Sequence, residues 1–301
     1  MRLVPSTSRF AHKQITNSEE IYYQMKRARP IMAQQAQLIN RLNDLSGKEW
    51  MLFTKSWFIL NPSPRGLKAL HPACYPEELA SAFIQFFTKR DDWILDPFLG
   101  SGTTLVAAKR AGRNSVGIEV YKKYAQLTKD RLSQIDGNGT KSQVYAGDSR
   151  NITSIFKANK LPFIDFCLTS PPYWNQLRQN HRRQRSRTEM GLSTSYGKSK
   201  LDLANIDDYD EFLRAVVGIF DGVHNVMAKN SYLVLVCNNV YRNGRVFPLA
   251  YDLFRMLSKK WIPKDERIWC QDNKSLYPFG IYCAWVANRC HHYCFVFKRA
   301  D

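Results

Sequence analysis

The sequence predicts an α/β protein built on a mostly parallel sheet with helices on both faces. Short apolar runs alternate with amphipathic helical stretches from about residue 75 onward, and a glycine turn joins one such run directly to a helix. Several of the runs also end on polar or acidic residues. In open sheets of this kind ligands bind beyond the carboxyl ends of the strands, where the strand order reverses. Residues at those ends are therefore the first candidates for function.

Taken in order, residues 18–45 carry helix formers with apolar spacing (Ile21, Met25, Ala28, Met32, Ala36, Ile39, Leu42, Leu45). Pro30 divides them into two helices, and Gly47 in "LSGKEW" closes the second. Residues 1–60 thus read as an N-terminal helical extension, and 61–301 as the main domain. "LNPSPRGLKALHP" (60–72) reads as a surface loop. "YPEELASAFIQFFTKR" is an amphipathic helix with Pro76 in its first turn.

"WILD" (93–96) is a short buried strand, followed by the glycine turn and a helix over Thr103–Ala111 that Gly112 stops. "SVGIEV" (115–120) is the next strand, then the helix "YKKYAQLTKDRLSQI", then the strands "SQVYAGD" (142–148) and "FIDFCLTS" (163–170). A basic loop over 175–206 precedes the helix "DDYDEFLRAVVGIFDGVHNVM" and the strand "SYLVLVCNN" (231–239). A helix over 247–258 and the strands "RIWC" (267–270) and "HHYCFVFKR" (291–299) complete the pattern.

Composition narrows the function. Hydrophobic residues at 44% and aromatics at 13% exclude general disorder, and no apolar run is long enough to span a membrane. The N-terminus has basic residues but no continuous apolar run, so a secretory leader is not expected. Seven scattered cysteines fit a reducing, cytoplasmic setting. Lys and Arg number 44 against 26 Asp and Glu, a net charge of +18 that favours a polyanionic partner such as nucleic acid. No metal is assigned: Cys283, Cys290 and Cys294 lack the paired spacing of a zinc knuckle.

In "ILDPFLGSGTT", Gly100 and Gly102 allow a tight turn and close approach of a ligand. The third glycine of a dinucleotide fingerprint is absent, and so is the lysine of a phosphate loop, so a neutral or zwitterionic guest fits better. Glu119 ends the second strand of the alternation, where a carboxylate takes ribose hydroxyls. Asp148 ends the third, placed for an adenine amino group. Together they point to a nucleoside-bearing ligand.

"DPFLGSGTT", "GIEV" and "TSPPYW", with "LHPACYPEELASAFI" upstream, resemble the DNA amino-methyltransferase family. The resemblance spans about residues 45–300. It implies a Rossmann-like methyltransferase fold with a seven-stranded sheet, S-adenosylmethionine as cofactor and DNA as partner. A cognate restriction endonuclease is a further partner it allows. Carried over by position, Asp96, Phe98, Gly100, Gly102 and Thr103 would line the methionine side. Glu119 would take the ribose and Asp148 the adenine, while His71, Pro72 and Tyr75 would close the pocket. His291 and His292 stand where the family's last strand usually has an acidic residue, and no role is assigned to them.

Ser170, Pro171, Pro172 and Tyr173 would form the catalytic turn. An exocyclic amine conjugated with its base ring is a poor nucleophile, and acceptors for its hydrogens free its lone pair. Ser170 Oγ and the Pro171 carbonyl are such acceptors, the two prolines stiffen the turn, and Tyr173 can stack on an extruded base. Serine at the first position is typical of members that methylate cytosine N4, with adenine N6 as the alternative. Arg178, Arg182, Arg183, Arg185 and Arg187 follow closely and suit phosphate contacts.

Overall fold

The computed structural model describes residues 42–61, 74–136, 139–175, 199, 201–274, 276, 285 and 287–300, and they belong to one unit that starts at Leu42. Its centre is an eight-stranded sheet. The strands are β1 (Trp57–Ile59), β2 (Trp93–Asp96), β3 (Asn114–Glu119), β4 (Ser142–Ala146), β5 (Ile164–Thr169) and β6 (Met227–Cys237). A separate hairpin, β7 (Val240–Arg242) and β8 (Arg245–Phe247), precedes β9 (Trp261–Cys270) and β10 (His291–Arg299). Across the sheet the order is β4-β3-β2-β5-β6-β10-β9-β1. The pairings make β10 the reversed strand among them, the other seven running one way.

The expected alternation is therefore present, with eight strands rather than seven. The extra one, β1, sits at the sheet's edge and pairs in parallel with β9, Trp57 opposite Ile268. Three residues are too few for a period to show, so only the backbone pairing reveals it. A second correction concerns Gly47, which opens a helix instead of closing one. Helix α1 (Gly47–Phe53) starts on Ser46, whose hydroxyl accepts from the Glu49 amide while Glu49 reaches back to the Ser46 amide.

Among the described residues the remaining α-helices are α2 (Glu77–Phe87), α3 (Thr103–Arg110), α4 (Lys122–Ser133), α5 (Ile152–Ala158), α6 (Tyr209–Val226) and α7 (Leu249–Leu257). Strand alternation divides the core between two faces. Leu95, Cys167, Leu233, Leu235 and Phe295 face α5, α6 and α7, while Ile94, Phe166, Val234 and Val296 face α2 and α3. Burying apolar residues on both faces is what a parallel sheet demands. Arg267 of β9 is nearly buried too, its guanidinium 3.9 Å from the Phe53 ring and 4.9 Å from Phe58, which ties α1 and β1 to the sheet.

From β2 the chain moves outward to β3 and β4, then returns to the other side of β2 as β5. The order thus reverses between β2 and β5, and the ends of these two strands flank the crevice where such sheets bind ligands.

Candidate functional site

Asp96 closes β2 and is 2% exposed. Its Oδ1 accepts from the Phe98 amide at 3.0 Å and from the Thr169 hydroxyl, at the end of β5, at 2.6 Å. Its Oδ2 accepts from the hydroxyls of Thr104 in α3 and Tyr75, the latter at 3.3 Å, and those two hydroxyls also bond each other. Burial raises the Asp96 carboxyl above the usual carboxylate range, against the pull of these hydrogen bonds. One side chain therefore fastens the end of β2, the helix after the glycine turn, the segment before α2 and the end of β5.

The glycine turn is shaped by its neighbours. Gly100 and Gly102 both adopt positive φ, 55° and 83°. A Cβ on Gly102 would lie 2.3 Å from Thr128 Cγ2 of α4, so the glycine is required by the packing of the turn on that helix. The expectation that this glycine makes room for a ligand is thus joined by a purely structural reason. Beside it, the Ser101 and Thr103 hydroxyls are buried and have no hydrogen-bond partner among the described residues.

Glu119, 7% exposed at the end of β3, accepts from the Gly100 amide at 2.8 Å and the Tyr121 amide at 2.9 Å, one on each oxygen. Burial pushes its carboxyl up to about 7. It braces the glycine turn directly. The Tyr121 hydroxyl in turn donates to Asp202 at 2.7 Å. Asp148 follows β4 and caps the short turn Ser149–Asn151, accepting from the Arg150 amide at 2.9 Å. Its carboxylate is also held by the Arg150 guanidinium at 2.7–3.0 Å, so an adenine amine there would share it with that arginine.

Ser170 directly follows Thr169 and so stands across the crevice from the glycine turn. Pro171 is buried, and Ser170, Pro172 and Tyr173 are half-buried. The Ser170 hydroxyl donates to Tyr173 Oη at 3.3 Å, and Tyr173 Oη lies 3.1 Å from His292 Nδ1. His292 stacks on Trp269, ring centroids 4.6 Å apart. Burial holds its pKa down to about 3, so its ring is neutral. With His292 protonated on Nε2, the Tyr173 hydroxyl would donate to Nδ1; the Ser170 hydroxyl donates to Tyr173 Oη, which leaves the lone pairs of Ser170 Oγ as acceptors. His292 is a neighbour of the Ser170 turn to which the sequence alone assigns no role. The available signal is register, since β10 sets His292 opposite Trp269.

The Phe98 ring packs towards Phe220 of α6, at 6.1 Å. His71 and Pro72 lie outside the described residues, as do Arg178, Arg182, Arg183, Arg185 and Arg187. Trp174 holds φ +49° and is buried, its indole N–H donating to the Ile206 carbonyl at 2.9 Å. That packing pins the turn that follows Tyr173.

The residues present fit the nucleoside-methionine ligand that the resemblance implies. Two unpartnered buried hydroxyls flank Gly102, and a carboxylate stands at the end of the neighbouring strand.

Comparison with known proteins bears on the same region. A family model described as DNA methylase, of the N6/N4 type, matches residues 5–130, which include the glycine turn and Glu119 and stop short of Ser170. Among curated proteins, the type II methyltransferase M.MthZI of Methanothermobacter thermautotrophicus is 47% identical over 62 residues, 21% of this chain and 18% of its own length. M2.DpnII of Streptococcus pneumoniae is 50% identical over 62 residues, 21% and 23% of the two chains. M.BglI of Bacillus subtilis is 42% identical over 88 residues, 29% and 24%. The matches span about a fifth to a quarter of the length of these relatives. Together with the family model they bear out the resemblance to the DNA amino-methyltransferase family.

Proposed function

We propose that this chain is a DNA methyltransferase that moves a methyl group from S-adenosylmethionine to an exocyclic base amine, cytosine N4 in the first instance. The observation that carries this reading is the Asp96 knot, which fastens the glycine turn and the Ser170 turn to one crevice. When bound, S-adenosylmethionine supplies an electrophilic methyl on a sulfonium centre.

The chain's own residues have three tasks. Ser101, Thr103 and Glu119 would hold the donor, Glu119 by accepting from ribose hydroxyls. Ser170 Oγ and the Pro171 carbonyl would accept the hydrogens of the target amine and draw its nitrogen towards sp³ geometry. The relay through Tyr173 to His292 keeps Ser170 Oγ an acceptor while the amine is bound. A neutral His292 is no strong base at pH 7, in keeping with a reaction in which positioning supplies most of the acceleration. A duplex base reaches the crevice only when extruded, at a cost of a few kcal/mol.

Nucleoside mass spectrometry on mixed-sequence duplex DNA, incubated with the protein and methyl-labelled cofactor, tests the reading. Label in N4-methylcytosine supports it in full. Label in N6-methyladenine keeps the mechanism and reverses the choice of base. No label in either, from protein that binds the cofactor, overturns DNA methylation.

A further inference from the structure

The hairpin of β7 and β8 is absent from the pattern expected of the sequence, and the site described so far gives it no task. It follows β6, whose end pairs beside that of β5 (Leu235 opposite Thr169), so it leaves the sheet at the edge that carries Ser170. Asn243 and Gly244, at φ 50° and 77°, make its two-residue turn. One face of the ribbon is seated on the residue after Tyr173: the Phe247 ring lies 5.0 Å from Trp174, and Val240 beside it is buried.

The tip carries charge in an unusual arrangement. Arg242 and Arg245 are opposite each other across the ladder, and like charges so placed destabilise a hairpin. Neither pairs with a carboxylate among the described residues. Each guanidinium instead lies over a ring, Arg242 4.4 Å from Trp174 and Arg245 4.4 Å from Phe247. More positive charge stands at the base, where Arg289 donates to the Asn239 carbonyl at 2.6 Å and Lys274 to the Arg289 carbonyl at 3.4 Å. The other face of the ribbon presents Tyr241 and Val246, 42% and 51% exposed.

We propose that this hairpin is a nucleic-acid contact, its paired arginines taking backbone phosphates of the duplex beside the extruded base. The inference rests on the reading of the chain as a DNA methyltransferase. Phosphates bound one to each guanidinium would offset the Arg242–Arg245 repulsion, and ring stacking holds both groups ready for them. A two-stranded ribbon is also narrow enough to enter a major groove, which gives Tyr241 and Val246 a surface to meet.

The test uses the full chain and a fluorescein-labelled mixed-sequence duplex, with affinity measured by anisotropy over a sodium chloride series. Arg242→Gln with Arg245→Gln should flatten the slope of log affinity against log salt by about 1.8, at about 0.9 for each phosphate the protein no longer neutralises. Arg242→Lys with Arg245→Lys should restore most of the slope, and Arg245→Gln alone, at the exposed position, should remove about half as much. Cofactor affinity should stay at the wild-type value and the melting temperature should not fall in any of these variants. An unchanged slope in protein whose wild type methylates DNA overturns the hairpin's role and leaves the function standing. Parallel losses of cofactor affinity and melting temperature, unrelieved by lysine, would make the arginines packing residues only. A wild type that binds no duplex overturns the function and the hairpin together.

Discussion

Glu119 gives the sharpest handle on the crevice, because its titration can be read without any ligand. Burial raises its pKa from 4.5 to about 7 although two backbone amides donate to it. The folded protein therefore holds this proton more tightly than the unfolded chain does. Stability from this group is fully present below pH 4.5 and is lost as pH rises to 7, by up to about 3 kcal/mol at 1.36 kcal/mol per unit. Glu119→Gln removes the titration and misplaces one acceptor, at a pH-independent cost of about 1–3 kcal/mol. Other groups titrate as well, so the quantity to follow is the difference between wild type and variant in urea unfolding at pH 5, 6, 7 and 8. That difference should shrink by about 2–3 kcal/mol from pH 5 to pH 8, the wild type losing its advantage. Ribose hydroxyls donating to Glu119 favour the charged form, so cofactor binding should expel a proton at pH 6 and tighten towards pH 8. Calorimetry in buffers of different ionisation enthalpy measures that proton. A flat difference curve would refute the placement of this carboxylate in a desolvated site.

Three further outcomes follow from the same geometry. Gly102→Ala should destabilise by about 2–5 kcal/mol, from the left-handed φ and the overlap with Thr128, and adding Thr128→Ala should return the overlap part in thermal unfolding. Ser170→Ala should keep cofactor affinity and lose most single-turnover rate, and an unchanged rate would remove Ser170 from the chemistry. His292→Phe keeps the stack on Trp269 but deletes the acceptor for Tyr173, so kcat should fall with cofactor affinity unchanged. His292, neutral when folded with a pKa near 3, lends stability above pH 6.5 that is lost as pH falls, about 2 kcal/mol by pH 5. The phenylalanine variant should lack that acid loss in urea titrations.

The parallel core is legible because strands buried on both faces must be apolar throughout. "WILD", "SVGIEV" and "FIDFCLTS" are such runs, each set off from a helix by a polar end. β1 and the start of β9 are not legible. β1 is three residues long, and β9 is exposed over residues 262–266 once past its buried Trp261, so neither offers an alternating buried face to set a period. Gly47 misleads because a glycine after a helical pattern is a common stop, whereas Ser46 with Glu49 three residues on is the stronger signal of a start. The Asn-Gly turn of the hairpin is present in the sequence, but its strands are three residues each and merge with the run before them.

Within the site, strand ends can be read one at a time, but the bonds between them cannot. The resemblance gives Asp96 to a ligand, yet four protein donors already occupy it, from segments as distant in sequence as Tyr75 and Thr169. Those four bonds make it a fastener of the crevice. That role has mechanical content, because a methyl acceptor must sit within about 3 Å of its donor, in line with the leaving group. The glycine turn follows β2 and the Ser170 turn follows β5, and between these neighbours the backbone ladder ends at Leu95 and Cys167. Beyond that point the Thr169–Asp96 bond carries the register across the crevice. Loosening it should therefore slow transfer without weakening either half-site. Thr169→Val, similar in volume and lacking the hydroxyl, separates these effects: cofactor and DNA affinities should hold while the single-turnover rate drops. A rate that stays at the wild-type value would mean that sheet packing alone sets the distance between the two turns.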